Sequence, residues 1–119
     1  MNFDLAINKH AAWRMKFRTA MNMKEKMDAV TIGKDNCCEL GKWLYGPGKA
    51  EFGRLPSFNA CLDAHKAFHA EAGKVAVLIN ECKYAEAEML LGPGSAYAQI
   101  SSHIGGVLIK LKHEQAKAA

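Results

Sequence analysis

The sequence predicts an all-α protein: an antiparallel four-helix bundle with an additional short helix that carries Cys38. Three observations lead there. Apolar residues recur at intervals of three and four through three long stretches, the spacing that gathers them on one face of a helix. Two Gly-Pro-Gly tripeptides, Gly46-Pro47-Gly48 and Gly92-Pro93-Gly94, punctuate the chain where that pattern stops. The alternation of β-branched and aromatic residues with polar ones that marks a strand is nearly absent. With 119 residues, 50% of them hydrophobic, the chain is sized for one core rather than two, so residues 1–119 are expected to form a single domain.

The first helix is expected from residue 4 to about residue 27, with Ile7, His10, Trp13, Phe17 and Met21 as its stripe. Lys24, Lys26 and Asp28 begin its polar end, and Gly33 is a stop or turn residue. A short helix follows over residues 35–45. Asn36 and Glu39 stand three apart, the spacing of a capping box, which puts Cys38 in the first turn. Gly46-Pro47-Gly48 ends that helix, and a polar linker leads to about Leu55. Pro56 and Ser57 open the third helix, which runs to about Cys82; proline suits a first turn, where its missing N–H has no intrahelical use. Residues 83–91 read as a short helix or a bent extension. Ser95 is an N-cap for the last helix, whose stripe is Tyr97, Ile100, Ile104, Val107, Leu108 and Leu111. Gly105-Gly106 inside it costs about 1 kcal/mol per glycine against alanine, tolerable where another helix packs closely. Residues 112–119 are expected to fray into solvent.

The formal net charge of +4 comes from 16 basic and 12 acidic residues. The basic side chains are dispersed, with no cluster interleaved with stacking aromatics, so they read as a solvated surface and no nucleic-acid partner is expected. No apolar run approaches the ~20 residues that a bilayer demands, and Met1-Asn2-Phe3-Asp4-Leu5 lacks the charged-then-apolar layout of a signal peptide. A cytoplasmic location without membrane insertion is expected. In that reducing compartment, 4 cysteines point to metal binding or redox chemistry more than to disulfides.

The chemistry-bearing stretch is His65-Lys66-Ala67-Phe68-His69. Residues four apart stand one above the other on a helix, so both rings can converge on one point. Their face continues through Phe58 and Leu62 on one side and Ala72, Val75, Ala76 and Ile79 on the other, so the rings point inward. Buried imidazoles need partners, and neutral imidazole is the commonest protein ligand for a transition metal; two hydrogen-bonded core histidines are the alternative. His10, in the stripe of the first helix, is likewise a satisfied core histidine or a ligand. Cys38, near a helix start, faces unpaired N–H groups and the positive end of the dipole, which favour its thiolate. Gly41, one turn on, leaves room for another backbone or ring. Together His10, Cys38, His65 and His69 offer three imidazoles and one thiolate from three elements, a set that suits zinc. Cys61, four before His65, could replace Cys38 or act as a resolving thiol. A column of Cys61, His65 and His69 spans about 12 Å, however, too long for one ion, so Cys61 reads first as a small buried residue. Cys37 and Cys82 read as packing or surface residues, and His103 and His113 as solvated.

The order of these pieces resembles the chemoreceptor zinc-binding domain family, found attached to cytoplasmic chemoreceptors and to diguanylate cyclases and also standing alone. The resemblance is carried by His10 with Trp13, by Cys38-Glu39-Leu40-Gly41-Lys42-Trp43, by His65 with His69, and by the Leu91-Gly92-Pro93-Gly94-Ser95 break. It implies a four-helix bundle that binds one zinc ion through His10, Cys38, His65 and His69, with Trp13, Gly41 and Trp43 as supporting residues. It also implies a regulatory role, often in a homodimer, in which zinc or an oxidant alters the signal passed to a chemotaxis or cyclic-di-GMP signalling partner.

Three neutral imidazoles and one thiolate leave a zinc site with a formal charge of +1, so Cys38 is the only anionic ligand and the natural lever. Oxidation to sulfenic acid would remove it as a good ligand, which makes Cys38 the redox-sensitive candidate. Because the ligands come from separate helices, losing one should loosen the packing between them. The alternative is a purely structural zinc site in a helical adaptor or dimerisation module. Catalysis is not expected: there is no H-E-x-x-H, and four protein ligands close the sphere that catalytic zinc keeps open. A di-iron or haem site would need carboxylates in the ligand stripes, where there are none.

Overall fold

Asn2 starts the first helix, its side chain accepting a hydrogen bond from the Leu5 amide at 2.9 Å. In the computed structural model, which describes residues 1–118, the expected first helix is one rod in two pieces, α1 (Phe3–Ala11) and α2 (Trp13–Met23). Ala12 between them stays in the right-handed helical region. The rod stops short of residue 27 because Lys24 turns left-handed, with φ of 54°, and its amide closes on the carbonyls of Ala20 and Met21.

Next come three short helices, of which the sequence anticipates one, from the Asn36 and Glu39 spacing. α3 (Ala29–Ile32) is capped by Asp28, whose carboxylate accepts from the Thr31 amide and hydroxyl, and Gly33 ends it. α4 (Glu39–Tyr45) begins at Cys38 itself, not at Asn36. The backbone of Cys38 is extended and its Sγ accepts from the Gly41 amide, so the sulfur takes the capping role that the Asn36 and Glu39 spacing had suggested for Asn36. The expected linker is in part α5 (Pro47–Phe52), in which Pro47 occupies the first turn.

α6 (Phe58–Asn80) ends two residues before Cys82, which lies beyond it with φ of 59°. α7 (Tyr84–Leu90) and α8 (Ala96–Ala118) complete the order. Ser95 caps α8 as expected, its hydroxyl accepting from the Ala98 amide at 3.1 Å. Residues 112–118 of the end expected to fray are helical and docked, with Ala119 outside the described residues: Lys112 pairs with Asp4 at 2.9 Å, and Glu114 accepts from the amide and hydroxyl of Ser57. The close packing that would have offset Gly105 and Gly106 is absent: apart from the chain neighbours and the helix's own nearby backbone, nothing lies within 4 Å of where a Cβ would stand on either.

Side-chain contacts between ends fix the directions. Asp4 and Ser57, at the starts of α1 and α6, both meet the last turns of α8, so α1/α2 and α6 run one way and α8 the other. The amide and carbonyl of Met27, beyond α2, bond to the side chain of Asn80 at the far end of α6. From there the chain returns along α6: Gly33 lies against Gly73, then Ile32 against His69, then Trp43 against Phe58. Residues 29–52 are therefore the fourth rod of an antiparallel bundle, segmented into α3, α4 and α5. Phe17, Leu44, Phe58, Phe68 and Tyr97 fill the interior at 1% exposure or less. Burying each such side chain contributes about 1.5–3 kcal/mol. Among the described residues there is no strand, and no helix is long and apolar enough to cross a membrane.

Candidate metal centre

His10 stands in the last turn of α1, Cys38 at the head of α4, and His65 and His69 one turn apart on α6. The four side chains meet in the interior. His65 Nε2 lies 3.1 Å from His10 Nε2 and 3.0 Å from His69 Nε2. Cys38 Sγ lies 3.2 Å from His65 Nε2, 3.6 Å from His69 Nε2 and 3.9 Å from His10 Nε2. A tetrahedral ion with bonds of about 2.1 Å to nitrogen and about 2.3 Å to sulfur separates its nitrogens by about 3.4 Å, and nitrogen from sulfur by about 3.6 Å. The nitrogen–sulfur edges bracket that value, the two nitrogen–nitrogen edges at His65 are about 0.3–0.4 Å shorter than theirs, and all four donor atoms lie within 4.8 Å of one another.

Proton bookkeeping shows which lone pairs the cluster turns inward. His10 Nδ1 is 2.8 Å from the Ala6 carbonyl oxygen, and His69 Nδ1 is 2.8 Å from the Ile32 carbonyl oxygen. A carbonyl can only accept, so both Nδ1 atoms carry the proton, and in the neutral rings both Nε2 atoms present lone pairs. Those lone pairs converge on a third nitrogen, which can donate at most one proton. The inward protons available to them are that of His65 Nε2 and that of the Cys38 thiol, 3.6 Å from His69 Nε2, and a cation displacing both would meet three nitrogen lone pairs and one sulfur. The carbonyl bonds are the support that orients ligating histidines in metal proteins.

Burial keeps the rings in the ligating state. It lowers the pKa of His65 to about 3, with the neighbouring imidazoles His69 and His10 adding to the effect. It also lowers those of His10 and His69, against the opposing pull of their carbonyl bonds. Cys38 departs from the expectation of a favoured thiolate. The Gly41 and Leu40 amides do pull its pKa down, yet burial outweighs them and raises it. A divalent ion among the imidazoles would supply the missing positive charge and deprotonate the thiol.

Gly41 positions the sulfur in two ways. Its amide donates to Cys38 Sγ at 3.4 Å. The space a Cβ would fill is taken by the backbone carbonyl of Asp35, so the loop ahead of Cys38 folds flat against α4. A hydrogen bond from the Tyr45 hydroxyl to the Asp35 carboxylate closes the same loop. Trp43 serves the packing of α4: its ring stands edge-on to Phe3 at 5.5 Å and tilts against Phe52 and Phe58. Trp13 stacks on Phe17 at 5.4 Å.

Cys61 is fully buried and outside the cluster, with its pKa pushed up to about 12 by burial. Cys37 is half-buried, with its thiol 3.5 Å from Asn36 Oδ1, and Cys82, His103 and His113 are exposed. Sequence reasoning missed the carbonyls of Ala6 and Ile32, which have no side-chain signature. It also missed Phe68, whose ring stands edge-on to both His10 and His69, although its place between the two histidines of α6 was a visible signal.

The family model described as "chemoreceptor zinc-binding domain" matches residues 10–76, a span that contains all four residues of the cluster. No curated protein and no solved structure matches the chain. With more than half of its length covered, the chain belongs to the chemoreceptor zinc-binding domain family and takes zinc as its cofactor.

Proposed function

We propose that His10, Cys38, His65 and His69 are the zinc ligands of a sensory or regulatory domain spanning residues 1–119, in which zinc availability or an oxidant at Cys38 sets the state of the bundle. The observation that carries this reading is the convergence of three inward-facing Nε2 atoms and one sulfur, with two of the rings locked by Ala6 and Ile32. Zinc held there supplies the charge that keeps the sulfur anionic and ties separate rods to one point. The chain's own residues decide which tie can be released. His65 and His69 share the continuous helix α6, and His10 sits in the rod of α1 and α2. Cys38 alone hangs on the segmented rod. Losing the sulfur as a ligand would therefore loosen α4 and leave α3 held to α6 by its Ile32 and Gly33 contacts, while the other three rods keep theirs.

Four side chains fill a tetrahedral sphere, which leaves no corner for a substrate and supports a non-catalytic role. Transmission to a chemotaxis or cyclic-di-GMP signalling protein, homodimer formation and a cytoplasmic location rest on the family. A purely structural zinc is the second reading, favoured by the burial of His10, His65 and His69 at 5% exposure or less. Zinc-loaded protein treated with one equivalent of peroxide separates the two. Sensing of an oxidant requires Cys38 oxidation, seen by mass, in step with zinc release to a chromogenic chelator. Zinc retained both under oxidant and against chelators buffering free zinc at cellular levels would leave only the structural role.

A further inference from the structure

We infer that a small basic cavity between α1 and the head of α4 is the route to the zinc centre, and that it selects small anions for delivery to the Cys38 sulfur. The cavity holds about 310 Å³ and has both His10 and Cys38 in its wall, but neither His65 nor His69. Those two histidines are 1% and 3% exposed, whereas Cys38 is only half-buried. The centre thus turns its Cys38–His10 edge to the cavity and its His65–His69 edge to the core.

The charge of the walls is one-sided. Lys9 and Lys16 both line the cavity, against Glu39 as the acidic side chain there. Glu39 lies 3.7 Å from Lys9, which offsets one of the two ammonium groups. The Lys16 ammonium rests on the Trp13 ring at 4.6 Å, a contact that places the cation without neutralising it. Apolar side chains such as Leu5 and Leu40 make up other parts of the wall. A concave site with apolar walls and an excess of one sign focuses the field on what enters it. The volume is that of about ten water molecules, enough for a compact anion and too little for a large chelator or an aromatic disulfide.

This inference rests on Cys38 being the responsive ligand, and a charge series of thiol reagents tests the two separately. Zinc-loaded protein carrying Cys37→Ser and Cys82→Ser is treated with methanethiosulfonates bearing a sulfonate, a methyl or a trimethylammonium arm. In each case the Cys38 thiolate attacks the divalent sulfur, a mixed disulfide forms, and methanesulfinate leaves with the electron pair of the broken S–S bond. Rates are followed by mass and normalised to those with a free small thiol.

The sulfonate reagent should react about tenfold faster than the ammonium reagent at low ionic strength. That advantage should shrink in about 0.5 M salt and disappear in Lys9→Glu/Lys16→Glu protein. Equal normalised rates, a cation advantage, or an anion advantage indifferent to salt in the unsubstituted lysine background would overturn the cavity's role, whether or not the double lysine variant folds. Zinc release, read in parallel, reports on the other reading. Anion-selective labelling without release sinks the sensory role and leaves the cavity standing, while unselective labelling with release does the reverse.

Discussion

His69 reaches across the seam between α6 and the end of α3 to donate its Nδ1 proton to the Ile32 carbonyl at 2.8 Å. The orientation of one imidazole of the centre is thereby tied to where a four-residue helix lies. That position is set in turn by Gly33 and Gly73, because a Cβ on Gly73 would fall 2.9 Å from the Gly33 Cα. No side chain stands between the two backbones there.

Gly73→Ala should push α3 off α6 and lengthen the His69 to Ile32 bond. Competition with a chromophoric chelator is expected to show zinc affinity reduced by about tenfold, the scale of a lost supporting hydrogen bond. Overpacking should also cost about 1–3 kcal/mol in urea unfolding. An unchanged affinity would show that His69 is aligned without α3.

Glycines in this chain should respond oppositely to alanine according to what surrounds them. Gly41→Ala collides with the Asp35 carbonyl and should displace Cys38, weakening zinc binding and thermal stability together. Gly105→Ala and Gly106→Ala meet open space on a helix and should raise stability by about 0.5–1 kcal/mol each without touching zinc affinity. Thermal melts of the three variants decide it.

Removing one of the four proposed ligands should exceed any of these effects. Cys38→Ser, His10→Ala, His65→Ala and His69→Ala are each expected to lower zinc affinity by more than the roughly 10–100-fold that loss of an orienting partner costs. His103→Ala and His113→Ala, exposed and remote in sequence from the cluster, should leave it unchanged. Metal analysis after gel filtration against a weak chelator is sufficient to rank them.

Acid should destabilise the metal-free domain through the same histidines. An unfolded imidazole titrates at about 6.5, whereas burial holds His65 to about 3 and lowers His10 and His69. Between those limits the unfolded chain binds more protons than the folded one, so stability is complete above about pH 6.5 and falls as pH drops toward 3. The slope approaches about 1.4 kcal/mol per pH unit for each histidine kept neutral. Urea midpoints at a series of pH values from neutral to acid test this, and a flat series would contradict it.

Chelation should loosen the molecule unevenly. Amide hydrogen exchange is expected to rise through residues 28–45 when zinc is stripped, while the centre of α8, packed on α1 and α6 and holding none of the four cluster residues, keeps its protection. A uniform rise along the chain would mean that the metal holds the whole bundle and not its segmented rod.

The long rods were legible because an apolar stripe records which face is buried. His10, His65 and His69 were legible for the same reason, being polar residues written into such stripes. Cys38 could be read as well, through its place ahead of Leu40, Gly41 and Trp43. α3 and α5 escaped because helices of four and six residues are too brief to complete a stripe. The capping role of Cys38 escaped because Asn36 and Glu39 satisfy a familiar spacing, and only the extended backbone at Cys38 shows the sulfur in that role. The docking of the last turns depends on Asp4 and Ser57, more than fifty residues away in sequence, and no local pattern announces such a partnership.

A limb spliced from three pieces has joints. None of α3, α4 and α5 is long enough to hold its helical shape unaided, so the limb's course is dictated by the few places where it leans on its neighbours. The glycine seam is one, the Ile32 carbonyl another, the ring of Trp43 a third, and the sulfur of Cys38 the one that chemistry can unfasten. The bundle thus divides into a trestle of three beams and a hinged rail.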